Sequence, residues 1–505
     1  MSVASPQDRA GDRLGREVWI VAAVVIVGVI MSILDTTIVN VALDTLSREL
    51  HSPLSTIQWV TAGYLLALAM VIPLTGWLSE RFGARRIWMI SVATFGIGSA
   101  LCGLAWSAGS LIFFRVLQGF GGGMIMPVGM SLLAQTAGPS RVGRVMSVVG
   151  VPMLLGPILG PVIGGVIVSN VSWRWIFYVN VPIVVLALFL AARLLDPDSG
   201  RADAGRLDWL GFSLVSPGLV GIVFGLSEIE THGGIDHPIA FGPIVAGLVL
   251  VAAFALHSYR AERPLIDVRL FRGACFSAAA VTTFLLGAAL FGAMLVIPLY
   301  YQLARGTSAL TAGLLMAPQG VGAAAVMPFA GSLTDRVGGG RVALGGVLVM
   351  AVGTIPFVAV GATTPYALLA VFLVVRGVGL GGAMMPAMAA AYATLRPDEV
   401  PRATGALNAI QRVGGSIGTA LLAVVLQHQV AAAFPGTPTG GDGLGAIAGA
   451  ASGAAATLAA AFADTFWWAL GLCLVAAIPA AILARAQRRA AAGEAPRPVG
   501  AAGPA

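Results

Sequence analysis

Charge is what this chain has least of. Only 10% of its 505 residues are charged and 58% are apolar, whereas ordinary soluble domains carry about 25% charged residues. That balance excludes a water-soluble globular protein. Lysine is absent, so the 29 basic residues are all arginine. They are scattered between apolar runs, whereas a nucleic-acid binder gathers its cations on one solvated face. The three cysteines, Cys102, Cys275 and Cys473, fall in separate apolar runs without disulfide or metal-ligand spacing and read as small buried hydrophobes. The five histidines, His51, His232, His237, His257 and His428, sit in loops or at the ends of apolar runs. No cluster of nucleophiles, acids or ligands lies within the membrane, so no catalytic residue and no metal are assigned and a membrane-embedded enzyme is disfavoured. A channel would need a ring of charges or a carbonyl-lined filter, and neither phrase occurs.

What the chain has is apolar runs. Fourteen are long enough to cross a bilayer, at about 20 residues each. They fall near 18–40, 57–77, 87–106, 110–134, 143–168, 175–195, 207–227, 239–257, 274–300, 308–331, 341–361, 365–392, 403–428 and 464–484. The first is too long for a signal-peptide core and is expected to be retained. A lipid-exposed backbone must satisfy its own hydrogen bonds, so all are predicted helical and the fold class is an all-α integral membrane protein. If both termini are cytoplasmic, arginine concentrates in the cytoplasmic segments. The opposite loops hold only Arg48, Arg174 and Arg305, as the positive-inside rule requires.

A charged phrase occurs twice. Gly76-Trp-Leu-Ser-Glu80-Arg81-Phe-Gly83-Ala-Arg85-Arg86 returns as Gly331-Ser-Leu-Thr-Asp335-Arg336-Val-Gly338-Gly-Gly-Arg341, and Gly122-Gly123 with Pro127 returns as Gly381-Gly382 with Pro386. Parallel repeats are how many transporters are built. In each charged copy the first glycine lets helices approach, the acid and arginines can pair across helix ends, and the inner glycine permits a tight return. The duplication predicts a tail at 1–17, a six-helix bundle at 18–195, a linker with spans seven and eight at 196–273, a second six-helix bundle at 274–484 with an outer loop at 429–463, and a tail at 485–505. Both tails are expected to be cytoplasmic, and residues 444–462 of the outer loop could form a short Ala-rich helix.

Asp35 is the only acid deep within a span. An intramembrane carboxylate is costly and functional by default, and it suits a group that gains and loses a proton. Its structural alternative is a neutral side chain bonded to Thr36, Thr37 or a neighbouring helix. Arg115 of the fourth span needs a carboxylate, carbonyl or water partner, or a path to the outer interface. In span five Gly156, Gly160 and Gly164 recur every four residues, aligning on one face for close helix approach, while Pro157 and Pro161 kink the helix. Gly165 completes the phrase. Polar and adaptable side chains that could line an apolar cavity are Gln58, Tyr64, Gln118, Met124, Met126, Gln302, Gln319, Asn408 and Gln411.

The repeated charged phrase resembles the loop between the second and third helices of major facilitator superfamily transporters, Gly-x-Leu-Ala-Asp-Arg-x-Gly-Arg-Arg. Leu34-Asp35-Thr-Thr-Ile-Val-Asn-Val-Ala-Leu43 resembles the first-span signature of the fourteen-span drug:proton antiporter family (QacA/EmrB-like), with Asp44 in place of a final proline. Arg115-Val-Leu-Gln118-Gly119 resembles its fourth-span motif with one residue fewer between Arg and Gln. Gly156 to Gly165 matches the antiporter motif Gly-x-x-x-Gly-Pro-x-x-Gly-Gly, and Trp173-Arg-Trp-Ile-Phe177-Tyr-Val-Asn180-Val-Pro182 resembles a further family segment. The resemblance implies two six-helix bundles with two additional central spans. It also implies proton coupling through Asp35 and Arg115, and a conformational latch of Gly76, Glu80, Arg81, Gly83, Arg85, Arg86, Asp335, Arg336 and Gly338. The expected protein is a proton-coupled multidrug exporter of lipophilic neutral or monovalent cationic compounds. It is monomeric and multi-pass in a bacterial cytoplasmic membrane, with no cofactor beyond the proton gradient and no nucleic-acid partner. Export of an endogenous lipid or secondary metabolite remains open.

Overall fold

A run of apolar residues long enough to cross a bilayer satisfies its backbone only as a helix, and the computed structural model of the chain is built from such helices. It describes residues 15–138, 141–198, 200, 205–232, 237–396, 399–434 and 454–491. Thirteen helices among the described residues are long and apolar enough to span a membrane. They are α1 (Arg16–Glu49), α2 (Ser55–Phe82), α3 (Ala84–Gly103), α4 (Ala108–Ala137), α6 (Trp175–Leu194), α7 (Trp209–His232), α8 (Pro238–Arg260), α9 (Ala274–Ala304), α10 (Ala309–Val337), α11 (Gly339–Ala359), α12 (Tyr366–Tyr392), α13 (Val400–Ala433) and α14 (Ala454–Ala491). A further helix of 29 residues, α5 (Val142–Asn170), stands where the fifth span was expected.

The ends of these helices differ from the sequence expectation. α1 continues well past residue 40. α14 already begins at Ala454, so residues 454–462 are the first turns of the last span and not a separate Ala-rich helix. Residues 444–453 of that expected helix lie outside the described residues, as do 1–14 and 492–505 of the two expected tails. The beginning of the expected C-terminal tail belongs to α14.

The repeated charged phrase is mostly helix, not loop. α2 bends through a 3-10 turn at Ile72–Leu74 and runs on as Thr75–Phe82. One residue, Gly83, then reverses the chain at φ 91° and ψ 138°, and Gly338 does the same after α10 at φ 92° and ψ 138°. Such a φ strains any residue with a Cβ. Each turn is held by a side chain from the last helix region of its own half. Arg85 N donates to Asp198 Oδ2 at 2.9 Å, and Gly340 N donates to Gln487 Oε1 at 2.8 Å. The duplication is thus preserved in backbone angle and in hydrogen bonding.

Helices α1–α4 and α6 pack chiefly within one group and α9–α14 within another, while α5 packs on α1 of the first and about equally on the second. The two groups meet along two seams, α5 against α10 and α13 against α2, and α7 pairs with α8 while lying along α2 and α13.

Candidate functional site

Within α1, the hydroxyls next to Asp35 are turned back on their own helix, Thr36 Oγ1 to Ser32 O at 2.8 Å and Thr37 Oγ1 to Leu34 O at 3.1 Å. They therefore do not satisfy the carboxylate, which finds its partners on other helices. Arg115 Nη1 of α4 donates to Asp35 Oδ2 at 2.6 Å. Gln118 Nε2, one turn further along the same face, donates to Oδ1 at 2.9 Å, and Asn180 Nδ2 of α6 donates to Oδ1 at 2.9 Å. Asp35, Arg115 and Gln118 are each 0% exposed.

An outer ring fixes these donors. Arg115 Nη1 also reaches Gln118 Oε1 at 2.8 Å, and its Nε donates to Val60 O at 3.1 Å. The guanidinium carbon lies 4.0 Å from the centroid of the Tyr64 ring, a cation–π contact in a dry environment. Asn180 Nδ2 donates to Ser99 Oγ at 3.0 Å, whose own proton goes to Phe177 O at 2.9 Å. Arg115 Nη2 is buried and has no hydrogen-bond partner among the described residues. Every group facing the carboxylate is a donor. The carboxylate thus accepts from three side chains of two other helices. A buried ion pair of this kind strongly penalises loss of either member, by about 3–5 kcal/mol.

The second half has the arginine without the acid. Arg376 Nη1 of α12 donates to Gln319 Oε1 at 2.5 Å and Nη2 to Ala289 O at 3.0 Å. The chemistry is thus one-sided although the fold is duplicated.

The latch residues also meet, in a way the sequence did not indicate. Glu80 Oε2 accepts from Arg402 Nη2 of α13 at 2.7 Å, across the two bundles. Asp335 faces α5, accepting from Gly143 N at 3.0 Å with Arg144 Nε at 3.8 Å. The glycines make this approach possible: a Cβ on Gly76 would lie 2.7 Å from Arg402 Cα, and one on Gly331 would lie 2.8 Å from Arg144 Cα. Arg85 stays within its bundle, donating from Nη2 to Ala192 O at 2.9 Å. Arg81, Arg86 and Arg336 are exposed.

Along α5, the glycine face packs on α1 at the turn that carries Asp35. A Cβ on Gly156 would overlap Ile33, one on Gly160 would overlap Thr37 Oγ1, and one on Gly164 would lie 3.1 Å from Ile38 O. Gly165 points elsewhere, with nothing within 4 Å. The side chains of Pro157 and Pro161 lie outside the described residues.

The expected cavity-lining residues do not form one group. Gln118 and Tyr64 belong to the buried carboxylate cluster, because Arg115 draws both around its guanidinium. Gln319 serves Arg376, and Asn408 bonds back to Thr404 O at 2.9 Å. Gln411 reaches only Met384 Sδ, at 3.8 Å, and Gln302 reaches Pro298 O at 3.3 Å. Gln58 is exposed, Met124 is buried in the main core, and Met126 packs against that core. Cys102, Cys275 and Cys473 are buried thiols, with Cys102 Sγ 3.6 Å from Gln118 Oε1. Asn180, Ser99, Arg144 and Arg402 were missed as functional residues. Asn180 does stand in the family-like phrase around Trp173, but as an amide at a span end it reads as interfacial.

Comparison with known proteins agrees with this architecture. The family model described as Major Facilitator Superfamily matches residues 25–419. A multidrug resistance protein B homolog of Mycobacterium tuberculosis is 42% identical over 421 residues, covering 83% of this chain and 78% of its own. The tetracenomycin C resistance and export protein of Streptomyces glaucescens is 30% identical over 421 residues, with 83% and 77% covered. The puromycin resistance protein pur8 of Streptomyces alboniger is 32% identical over 423 residues, with 82% and 83% covered. In fold, the chain resembles the crystal structure of the human organic anion transporter MFSD10, with a TM-score of 0.64 at 16% identity over 92% of this chain and 100% of the other. The chain accordingly belongs to the major facilitator superfamily, alongside the relatives of its drug:proton antiporter family, and is a transporter and not an enzyme.

Proposed function

We propose that this protein is a proton-coupled multidrug efflux antiporter, exporting lipophilic neutral or monovalent cationic compounds by alternating access from a bacterial cytoplasmic membrane in which both termini are cytoplasmic. The observation that carries the reading is the buried cluster of Asp35, Arg115, Gln118 and Asn180, which joins α1, α4 and α6 through one titratable group. Protonation removes the charge that these donors share, so it must loosen the contacts among three helices. Arg115 Nη2, without a hydrogen-bond partner among the described residues, is a donor free to take a new one when it does. A proton thereby changes helix packing, which is what coupling requires. In this reading the Gly83 and Gly338 face is cytoplasmic, and the ion pairs of Glu80 with Arg402 and of Asp335 with Arg144 hold it shut in the outward-facing state. The driving force is the proton gradient, no cofactor takes part, and the transporter acts as a monomer. Export of an endogenous secondary metabolite is the second reading, favoured by the relative described as a tetracenomycin C resistance and export protein.

Everted membrane vesicles provide the test. Once a proton gradient is established and reported by acridine fluorescence quenching, a compound to which the protein confers resistance is expected to dissipate part of that gradient. Resistance compounds that leave the gradient untouched would remove proton antiport from the reading.

Charge selection follows from a fixed positive charge on the face of α13 that meets the first bundle. Arg412 of α13 is half-buried, lies within electrostatic reach of Tyr64, and shares a helix face with Arg402, Gly405 and Ala409. That face meets α2, where a Cβ on Gly405 would lie 3.0 Å from Thr75 Oγ1. Asp35 is already engaged by Arg115, so a dication would approach a fixed positive charge with no second counter-charge, and desolvating that second charge is strongly unfavourable. For a monovalent and a bivalent lipophilic cation of matched hydrophobicity, resistance and vesicle efflux are expected only for the monovalent member. Equal or better efflux of the bivalent one would overturn this selectivity.

A further inference from the structure

The duplicated fold supplies two equivalent seams between the bundles, and in each an acid meets an arginine of the other half. The two supplementary helices break that equivalence. Along its length α7 covers the line where α2 meets α13. Trp59 of α2 stacks on Phe224 of α7 with centroids 5.8 Å apart. Val215 and Leu219 of α7, Phe254 of α8, and Leu265 and Ile266 beyond it pack with Ile72 of α2 and with Ala406 and Ala409 of α13. Ile229 and Ala240 pack with Ala420 of α13.

At the latch end the insert is bonded to both bundles. Arg402 Nη1 donates to Pro264 O at 3.0 Å while Nη2 holds Glu80 at 2.7 Å, and Trp77 Nε1 of α2 donates to Gly205 O at 3.4 Å. The segment presenting Pro264 is itself fixed. Ser258 Oγ donates to Ile266 O at 2.7 Å and accepts from Val268 N at 3.2 Å. Asp208 accepts from Leu265 N at 3.3 Å and lies 2.8 Å from His257 Nε2. Arg402 and Glu80 are only 17% and 12% exposed. Parting α2 from α13 at this end would take Glu80 from Arg402 and divide one apolar cluster, and would break in addition either the Arg402 bond to Pro264 or the Trp77 bond to Gly205, according to which bundle the insert followed. The α5/α10 seam is made by direct contact between those two helices, as where Gly331 meets Arg144 and Gly143 meets Thr334, and the main contacts of α7 and α8 lie elsewhere.

We propose that α7 and α8 are a brace that keeps the α2/α13 seam joined at the latch end throughout the cycle, so that the bundles part there along α5/α10 with the braced side as the hinge. Of the two ion pairs only that of Asp335 with Arg144 then opens, while that of Glu80 with Arg402 stays closed, and Arg402, shared by Glu80 and the brace, is the positioning residue of the hinge. The inference goes beyond proton antiport, since no step in it involves Asp35 or the transported compound.

Spin-label pairs in the full chain reconstituted in nanodiscs test it. One pair, Arg141→Cys at the start of α5 with Val337→Cys at the end of α10, reports on the α5/α10 side, and another, Phe82→Cys at the end of α2 with Glu399→Cys at the start of α13, on the α2/α13 side; Phe82 and Val337 are exposed, Arg141 and Glu399 are half-buried, and the native cysteines are buried. With Asp335→Asn the α5/α10 pair is expected to gain a population longer by about 5 Å or more, the scale of a one-turn helix displacement, while the α2/α13 pair keeps its wild-type distance. Glu80→Gln alone should also leave the α2/α13 pair unchanged, and adding Phe254→Ala and Leu265→Ala should lengthen it. The proposal is overturned if the α2/α13 pair lengthens with Asp335→Asn or with Glu80→Gln alone, or if the α5/α10 pair does not move. Loss of substrate-induced proton movement would sink the antiport reading and leave these distances as they are.

Discussion

Asp35→Asn is expected to reduce substrate-induced proton movement to background and, at the same time, to lower the thermal stability of the folded protein. From sequence alone the substitution looks silent for folding, since it keeps volume and removes only charge. The cluster changes that expectation. Asparagine can still accept from Arg115 through its carbonyl, but its amide would confront the Gln118 and Asn180 amides, which are now both donors toward Asp35. Arg115, 0% exposed, would lose the one counter-charge it has within hydrogen-bonding distance among the described residues. Leaving one member of a buried pair alone costs about 3–5 kcal/mol. The double variant Asp35→Asn with Arg115→Gln removes both charges and is therefore expected to regain most of the lost melting temperature, yet to remain inactive because nothing titrates. Two measurements separate the effects: a fluorescence melt of the purified protein, and gradient dissipation in everted vesicles. Normal proton movement in the single variant would refute the role given to Asp35, and recovery of transport in the double variant would show that the charge pair serves folding alone.

The contrast between Asp35 and Asn180 shows which parts of this molecule the sequence reveals. An acid in an apolar run announces itself by the cost of putting it there, and so does Arg115. Asn180 sits at the start of a span among aromatic residues, where a polar side chain costs little, and only the packing of α6 on α1 turns it toward the carboxylate. Span positions and the duplication were legible for the same reason as Asp35, because composition forces them. Helix ends were less so: Leu78–Phe82 reads as loop and Ala454–Phe462 as part of a separate short Ala-rich helix in an outer loop, and both are helical through continuity with the span beside them. Arg402 was hidden in a different way. It lies among arginines that the positive-inside rule already explains, and its partner, Glu80, is 322 residues away in sequence. Tyr64 and Gln118 were read as lining a cavity because a polar residue in a span has to face something. Sequence spacing could not say whether that was a cavity or a neighbouring charge.

Replacing Gly160 is expected to be as damaging as removing the acid, although Gly160 carries no chemistry. The glycine face of α5 lies against Ile33, Thr37 and Ile38 of α1, the residues that flank Asp35. A single methyl at Gly160 overlaps the Thr37 hydroxyl, whose hydrogen bond to Leu34 O ties it to the helix, so the contact is relieved only by moving α5 away from α1. Overpacking of this kind costs about 1–3 kcal/mol, and the displacement falls on a cluster whose contacts are between 2.6 and 2.9 Å. Gly165 provides the matched control within the same motif, since a Cβ there meets nothing within 4 Å. Gly160→Ala should therefore abolish gradient dissipation with a lowered melting temperature, Gly164→Ala should fall between, and Gly165→Ala should transport like wild type. If Gly165→Ala were as harmful as Gly160→Ala, the motif would act through something other than its seam with α1, and close packing beside Asp35 would not explain it. If Gly160→Ala transported normally, α1 and α5 must be able to separate without disturbing the carboxylate, and the first-span acid would be held by α4 and α6 alone.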